Sequence, residues 1–240
     1  MSKNFEIKKK ILIICEGDSD KHFLENLIKN RDITLDYQIS TPKELGGNAD
    51  GKTQWKTIFS NIIAASKAEE LEFIIVIGDN DDDYEAAFNN IKVAIKEAND
   101  IKQFYKNIPE ETLKEPKIDS GKPTVFVAMM PEDKKRGNIE TLCYEVAYEK
   151  AKPEIKKCID NFATCSGFNG NDEKISSVSK LKLSSLIACK FSMDNRYPPI
   201  YNFNKLWDTR EGDPTIVPLT HKKFDWVVNY LNSFAKLLSN

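Results

Sequence analysis

The sequence predicts an α/β protein in which a parallel sheet carries helices on both faces, a three-layer arrangement. Short continuous apolar runs, ILIIC (11–15), FIIVI (73–77) and TVFVA (124–128), suit strands buried on both sides. Between them lie segments whose apolar residues recur at helical spacing. Strands that alternate with amphipathic helices assemble as parallel βαβ units.

ILIIC ends at Glu16-Gly17, and a helix follows with Asp18 or Ser19 as its expected cap and Phe23, Leu24, Leu27 and Ile28 on one face. A weaker strand is expected between Ile33 and Ser40. Trp55, Ile58, Phe59, Ile62 and Ile63 mark the next amphipathic helix. FIIVI then runs into GDNDDD ahead of a helix carrying Ala87, Phe88, Ile91 and Ile95. After TVFVA, MMPEDKKRGN reads as a loop, and Ile139, Leu142, Cys143, Val146 and Ala147 define a helix capped by Asn138. The polar, proline-interrupted stretch Asp100 to Pro123 reads as an insertion or long connection. Beyond Pro153 the chain looks helical, ending in a helix on Phe224, Val227, Val228, Leu231, Phe234 and Leu238. The expectation is one domain over 1–240, with the sheet core in 1–150 and a mostly helical extension, 151–240, packed on it.

The 240 residues are 40% hydrophobic, enough for a substantial core. No apolar run approaches the roughly 20 residues of a membrane span, and MSKNFEIKKKILIIC is too short in apolar residues for a signal peptide. A cytoplasmic protein with no membrane partner is expected. The five cysteines, Cys15, Cys143, Cys158, Cys165 and Cys189, form no C-x-x-C pair and read as small reduced core residues. With only His22 and His221 besides, zinc is poorly supplied, whereas 37 acidic residues offer the hard oxygens that Mg²⁺ or Mn²⁺ prefers. A net charge of −2 gives no global attraction to nucleic acid, so such a partner needs local basic patches. Lys8-Lys9-Lys10, Lys134-Lys135-Arg136, Lys156-Lys157, Lys180 with Lys182, and Lys222-Lys223 are candidates, each also readable as solvated surface.

In open α/β sheets, functional groups gather at the carboxyl ends of the strands. Two of those ends are acidic here. Glu16 and Asp20 follow the first strand, and Asp79, Asp81, Asp82 and Asp83 follow the third. If the two strands are neighbours, the carboxylates share a cleft and repel one another until a cation binds. Each signal also has an ordinary reading. Glu16-Gly17 reads equally as a plain strand-to-helix turn, Asp82 and Asp83 favour a helix N-terminus through its dipole, and so does Glu140 in the first turn of its helix.

LGGNADGKTQ (45–54) raises a competing possibility, because Gly46, Gly51, Lys52 and Thr53 complete G-x-x-x-x-G-K-[ST]. A phosphate-cradling loop of that kind follows directly on a buried strand. Here Pro42-Lys43-Glu44-Leu45 precedes it, and Pro42 interrupts any strand continuing from Ile39. FIIVIGD could still imitate a Walker-B strand, so a P-loop NTPase using Gly46 to Thr53 stays open. LGGNADGKTQ reads better as a polar loop beside the acidic cleft, within reach of nucleic acid.

ICEGDSDKHFL followed by IIVIGDNDDD resembles the two signatures of the Toprim domain, a Glu-Gly after the first strand and a D-x-D after the third. That domain occurs in topoisomerases, bacterial primases, a ribosomal-RNA-maturing nuclease and the overcoming-lysogenization-defect nucleases. MMPEDKKRGNIETL and KLKLSSLIA also resemble small stand-alone Toprim-like proteins, extending the similarity loosely over most of the chain. The resemblance implies a Toprim-like sheet and Mg²⁺- or Mn²⁺-dependent cleavage of a phosphodiester in DNA or RNA. It implies Glu16 as general acid or base near the scissile phosphate and Asp79 with Asp81 as metal ligands. Asp20 and Glu140 match the additional ligands of the two-metal lysogenization-defect nucleases, and Lys180 their late basic residue. The ATPase domain of those nucleases has no counterpart here, nor do the accessory regions of a topoisomerase or primase. A non-catalytic Toprim scaffold that binds metal or nucleic acid is the alternative outside enzymology.

Overall fold

The computed structural model describes residues 5–117, 121–168, 174–193 and 216–238. Of the helical extension expected over 151–240, residues 169–173, 194–215 and 239–240 lie outside the described residues. Four strands, β1 (Ile11–Cys15), β2 (Tyr37–Ser40), β3 (Phe73–Asp79) and β4 (Thr124–Met130), pair in the order β2-β1-β3-β4. All three pairings are parallel. The α/β class and parallel sheet expected from the apolar runs are therefore present, and the two acidic strand ends belong to neighbours.

Alternation along each strand sorts side chains between two layers. Ile11, Ile13, Cys15, Phe73, Ile75, Ile77, Phe126, Ala128 and Met130 pack with apolar residues of α1 (Asp18–Asn30), α4 (Ile139–Lys150), α5 (Pro153–Cys165), α6 (Ile175–Met193) and α7 (Asp225–Leu238). Leu12, Ile14, Ile74, Val76, Val125, Val127 and Met129 pack with α2 (Trp55–Ala64) and α3 (Tyr84–Lys102). The last helix is pinned by Phe234, fully buried with its ring 5.7 Å from Phe73 and 5.1 Å from Phe126, both edge-on. A ring in that setting contributes about 3–5 kcal/mol against truncation to alanine. The connection after α3 covers the open edge of β4. Asn107 exchanges side-chain hydrogen bonds with the backbone of Val125, and Leu113 N–H donates to Val127 O, so edge groups of β4 are satisfied.

The structure changes several expected details. β3 and β4 each run two residues past their apolar cores, because the ladder continues through Gly78↔Met129 and Asp79↔Met130. Asp79 is thus the last strand residue rather than a loop residue. Gly78 permits this: a Cβ there would stand 3.1 Å from Ile91 Cδ1 and 3.4 Å from both Glu16 Oε1 and Met129 Sδ. β2 is shorter than expected, beginning at Tyr37. Gly17, not Asp18 or Ser19, precedes the first helical residue of α1. Finally, Cys15 and Cys143 are buried but Cys158 and Cys165 are exposed on α5, where helical spacing turns them away from the buried Ile159 and Ala163.

Candidate functional site

β1 delivers Glu16 one residue past its end, and the chain turns through extended Gly17 into α1. Asp20, in the first turn, accepts a 2.9 Å hydrogen bond from Gly17 N–H through Oδ2. This satisfies an amide at the helix start and holds the carboxylate beside the strand end. Next door, Asp79 N–H donates to Glu16 Oε1 at 3.1 Å, and Asp79 Oδ1 accepts from Ile139 N–H at 3.3 Å. Ile139 opens α4, so Asp79 sits against a helix N-terminus, a favourable place for negative charge. Asn138 caps α4 as expected, with Oδ1 accepting from Thr141 N–H. That cap sets the orientation of Glu140, which is 7% exposed. Lys180 reaches over from α6, its Nζ 3.8 Å from Glu140 Oε1.

The carboxylates sense one another. Glu16 is raised to about 7, by burial and by Asp81, against the lowering effect of the Asp79 amide, Lys52 and Lys180. Asp20 is raised to about 8, chiefly by burial and then by Glu16 and Glu140. Asp79 is raised well above the usual carboxylate range by burial and by Asp20, Glu16, Glu140 and Asp81. Burial also raises Glu140, opposed by Lys180. Four acids, placed by β1, α1, β3 and α4, thus hold a proton more tightly than in water because they are partly desolvated and close to like charge.

Asp81 stands at the rim. Its backbone adopts φ +49°, its carbonyl accepts from Gly137 N–H at 2.6 Å, and its carboxylate pairs with Lys52 Nζ at 2.8 Å. Asp83 is the side-chain cap of α3, accepting from Ala86 N–H, which matches its expected helix-start role. A cleft of about 360 Å³ opens here, lined by Lys52, Asp81, Asp82, Ser176, Ser177 and Lys180 among others. The inner acids Glu16, Asp20 and Asp79 are not part of that lining; Asp81 and Lys180 link them to it.

All six residues singled out in the sequence, Glu16, Asp20, Asp79, Asp81, Glu140 and Lys180, therefore come from separate segments to one region. Two contributors escaped sequence reasoning. Asn80 is fully buried inside the acidic run, and its Nδ2 ties down the 131–137 loop through Glu132 O at 2.8 Å and Lys135 O at 2.6 Å. Lys52 was visible only as part of a phosphate-loop pattern. It reaches Asp81 because the preceding loop folds back, with Gly51 N–H donating to Glu16 O at 2.8 Å.

Five amides of that loop are already committed, Gly51 to Glu16 as above and four others within the loop. Leu45, Gly46 and Gly47 donate to Thr41 O, Lys43 O and Pro42 O, and Asn48 donates to Gln54 Oε1. Gly47 is packed so closely that a Cβ would lie 2.8 Å from Pro42 O.

As a donor set the acids are hard oxygen ligands, suited to Mg²⁺ or Mn²⁺ rather than zinc. Glu16, Asp20 and Asp79 each spend one carboxylate oxygen on a backbone amide and leave the other without a hydrogen-bond partner among the described residues. Also among the described residues, no three acidic, histidine or cysteine side chains are drawn together as a finished cation cage. Loading an ion here would require the free oxygens to swing inward, which side-chain rotation permits.

The site is thus an acidic centre at the carboxyl ends of adjacent parallel strands in an α/β protein. The family described as protein of unknown function (DUF3226) matches residues 9–234, and the chain belongs to it. No curated protein and no solved structure matches the chain.

Proposed function

We propose that this protein is a Toprim-type nuclease that cleaves phosphodiester bonds of DNA or RNA with Mg²⁺ or Mn²⁺. The observation that carries the reading is the group of mutually repelling carboxylates at the ends of β1 and β3 and the starts of α1 and α4, three of them with an oxygen that has no hydrogen-bond partner among the described residues. Such a group is costly for a stable fold and gains its purpose from a divalent ion. The resemblance of ICEGDSDKHFL and IIVIGDNDDD to the Toprim signatures supports the same assignment.

Glu16, Asp20, Asp79, Asp81 and Glu140 are the residues that would hold the metal. When bound, divalent ions supply an activated water and neutralise charge on the leaving oxygen. Glu16 acts as general acid or base near the scissile phosphate. Lys180, half-exposed beside Glu140, stabilises negative charge on that phosphate, where a fixed cation contributes most. The Lys52–Asp81 pair holds the rim carboxylate until substrate and cation compete for its partners.

The rival outside enzymology is a Toprim scaffold that binds metal or nucleic acid without cutting it. The NTPase reading through Gly46 to Thr53 is weakened by the internally committed amides of the loop.

The test is a panel of labelled single- and double-stranded DNA and RNA incubated with the purified protein and Mg²⁺ or Mn²⁺, alongside ATP and GTP. Cleavage that is lost in Asp81→Ala and retained in Lys52→Ala supports the proposal. Nucleotide hydrolysis that depends on Lys52, with no nucleic acid cut, would replace it with the NTPase reading.

A further inference from the structure

The acidic cleft has a neighbour. A second hollow of about 300 Å³ lies between the start of α2 and the middle of α3, lined by Lys52, Thr53, Trp55, Lys56, Asn90 and Val93 among others. The two hollows meet at Lys52 and Asn90, which line both. One face of α3 serves the pair, because Ala86, Asn90, Val93 and Glu97 recur at helical spacing. That face extends over about 16 Å at 1.5 Å per residue. Lys52 is kept at the junction by its loop: the adjacent Gly51 N–H donates to Glu16 O at 2.8 Å, and the ammonium pairs with Asp81. The second hollow differs in chemistry from the first. Where the first is bordered by carboxylates, the second offers the side chains of Trp55 and Val93, the latter 43% exposed, and the exposed amide of Asn90. It also offers Lys56, whose charge Glu97 answers at 3.0 Å.

We propose that the second hollow receives the base and sugar of one nucleotide of a single-stranded nucleic acid, next to the phosphate at the acidic centre, with Lys52 serving the phosphate at the junction. The identity of the ligand rests on the nuclease reading. Apolar side chains beside an amide that both donates and accepts suit a nucleobase, which has an apolar face and a polar edge. At about 300 Å³ the hollow is at the small end of ligand sites, fit for a nucleoside and not for a duplex. A base enters such a space only from a single strand or after leaving its pair. Lys52 and Lys56 are both more than half exposed, and exposed ion pairs contribute little, so either ammonium can turn from its carboxylate to a phosphate. A cation bound at Asp81 would free Lys52 for that purpose. Binding itself requires no cleavage.

Equilibrium binding of a short labelled single-stranded oligonucleotide, with Ca²⁺ in place of Mg²⁺, tests the pocket in wild type, Val93→Glu and Ile101→Glu. Both substitutions put an acid at an exposed position of α3, where glutamate is a good helix former, but Ile101 lines neither hollow. Val93→Glu is expected to weaken binding at least about tenfold, by setting like charges together, and Ile101→Glu to leave it within about twofold. Lys56→Gln should lower the slope of log affinity against log salt by about 0.7, the share of one phosphate contact in a single strand. Wild-type affinity in Val93→Glu overturns the pocket, and so does an affinity lowered equally in Ile101→Glu. Equal affinity for a duplex of the same sequence overturns it as well. Failure of the wild type to bind the oligonucleotide removes both the pocket and the nuclease reading. Val93-dependent binding without Mg²⁺- or Mn²⁺-dependent cleavage would leave the pocket standing while the nuclease reading falls, and cleavage with wild-type KM in Val93→Glu would do the reverse.

Discussion

Replacing Glu16 by Gln should stabilise the metal-free protein while disabling its site. The folded protein raises this carboxyl from its ordinary 4.5 to about 7, so folding favours the protonated form. A group raised in this way contributes fully below its unfolded value, and that contribution is lost as pH climbs through about 7. At pH 8 the charged carboxylate therefore destabilises the fold by about 3 kcal/mol, since each tenfold change in proton affinity is about 1.4 kcal/mol. Glutamine keeps the shape and removes the charge. For a chain of this length, about 3 kcal/mol raises the melting temperature by roughly 6–12 °C. At pH 4 the advantage should vanish, because wild-type Glu16 is then already neutral. The assay is thermal unfolding of both proteins in EDTA from pH 4 to pH 8. A Glu16→Gln protein that is less stable than wild type across the whole range would refute the idea that carboxylate repulsion shapes this site.

Other outcomes follow from the same geometry. Mg²⁺ should raise the melting temperature of the wild type most at pH 8 and little at pH 4, where protons hold Glu16 and Asp20, and Asp79→Asn should lose most of that response in a thermal-shift titration. Asn80→Ala removes the side chain that holds two loop carbonyls and should cost about 2–3 kcal/mol in urea unfolding, with faster proteolysis within residues 131–137. Gly137→Ala should perturb the start of α4, since its Cβ would fall 2.5 Å from Thr141 Oγ1 at φ +127°, and reduced metal affinity by calorimetry would register the displaced Glu140. Lys52→Ala should cost less than about 1 kcal/mol of stability, because its pair with Asp81 is half-exposed, and weaken oligonucleotide binding only modestly.

How much of this was legible depended on whether a feature is local. ILIIC and FIIVI announce strands because strands buried on both faces cannot tolerate polar residues, and the acids just beyond them locate the site. The reach of β3 through Gly78 and Asp79 was hidden, since a glycine and an aspartate resemble a turn until Met129 and Met130 pair with them. Asn80 looked like one polar residue in an acidic run, yet only the tertiary fold shows that its amide organises the next loop. Lys52 was misdirected by its own neighbourhood. The G-x-x-x-x-G-K-[ST] spacing is a pattern of residues, whereas phosphate cradling depends on where amides point, and those of Gly46, Gly47 and Gly51 are bonded to backbone carbonyls. Cys158 and Cys165 went astray for a related reason: a cysteine on an amphipathic helix can occupy either face.

The most direct test of the central claim is diffraction from crystals soaked in Mn²⁺, recorded at the manganese absorption edge. The account predicts one anomalous peak, or two about 4 Å apart, about 2 Å from carboxylate oxygens of Glu16 and Asp79, with Asp20, Asp81 or Glu140 completing the shell. An anomalous peak only at the exposed Asp82 and Asp83, or none within reach of Glu16 and Asp79 at saturating Mn²⁺, would contradict it.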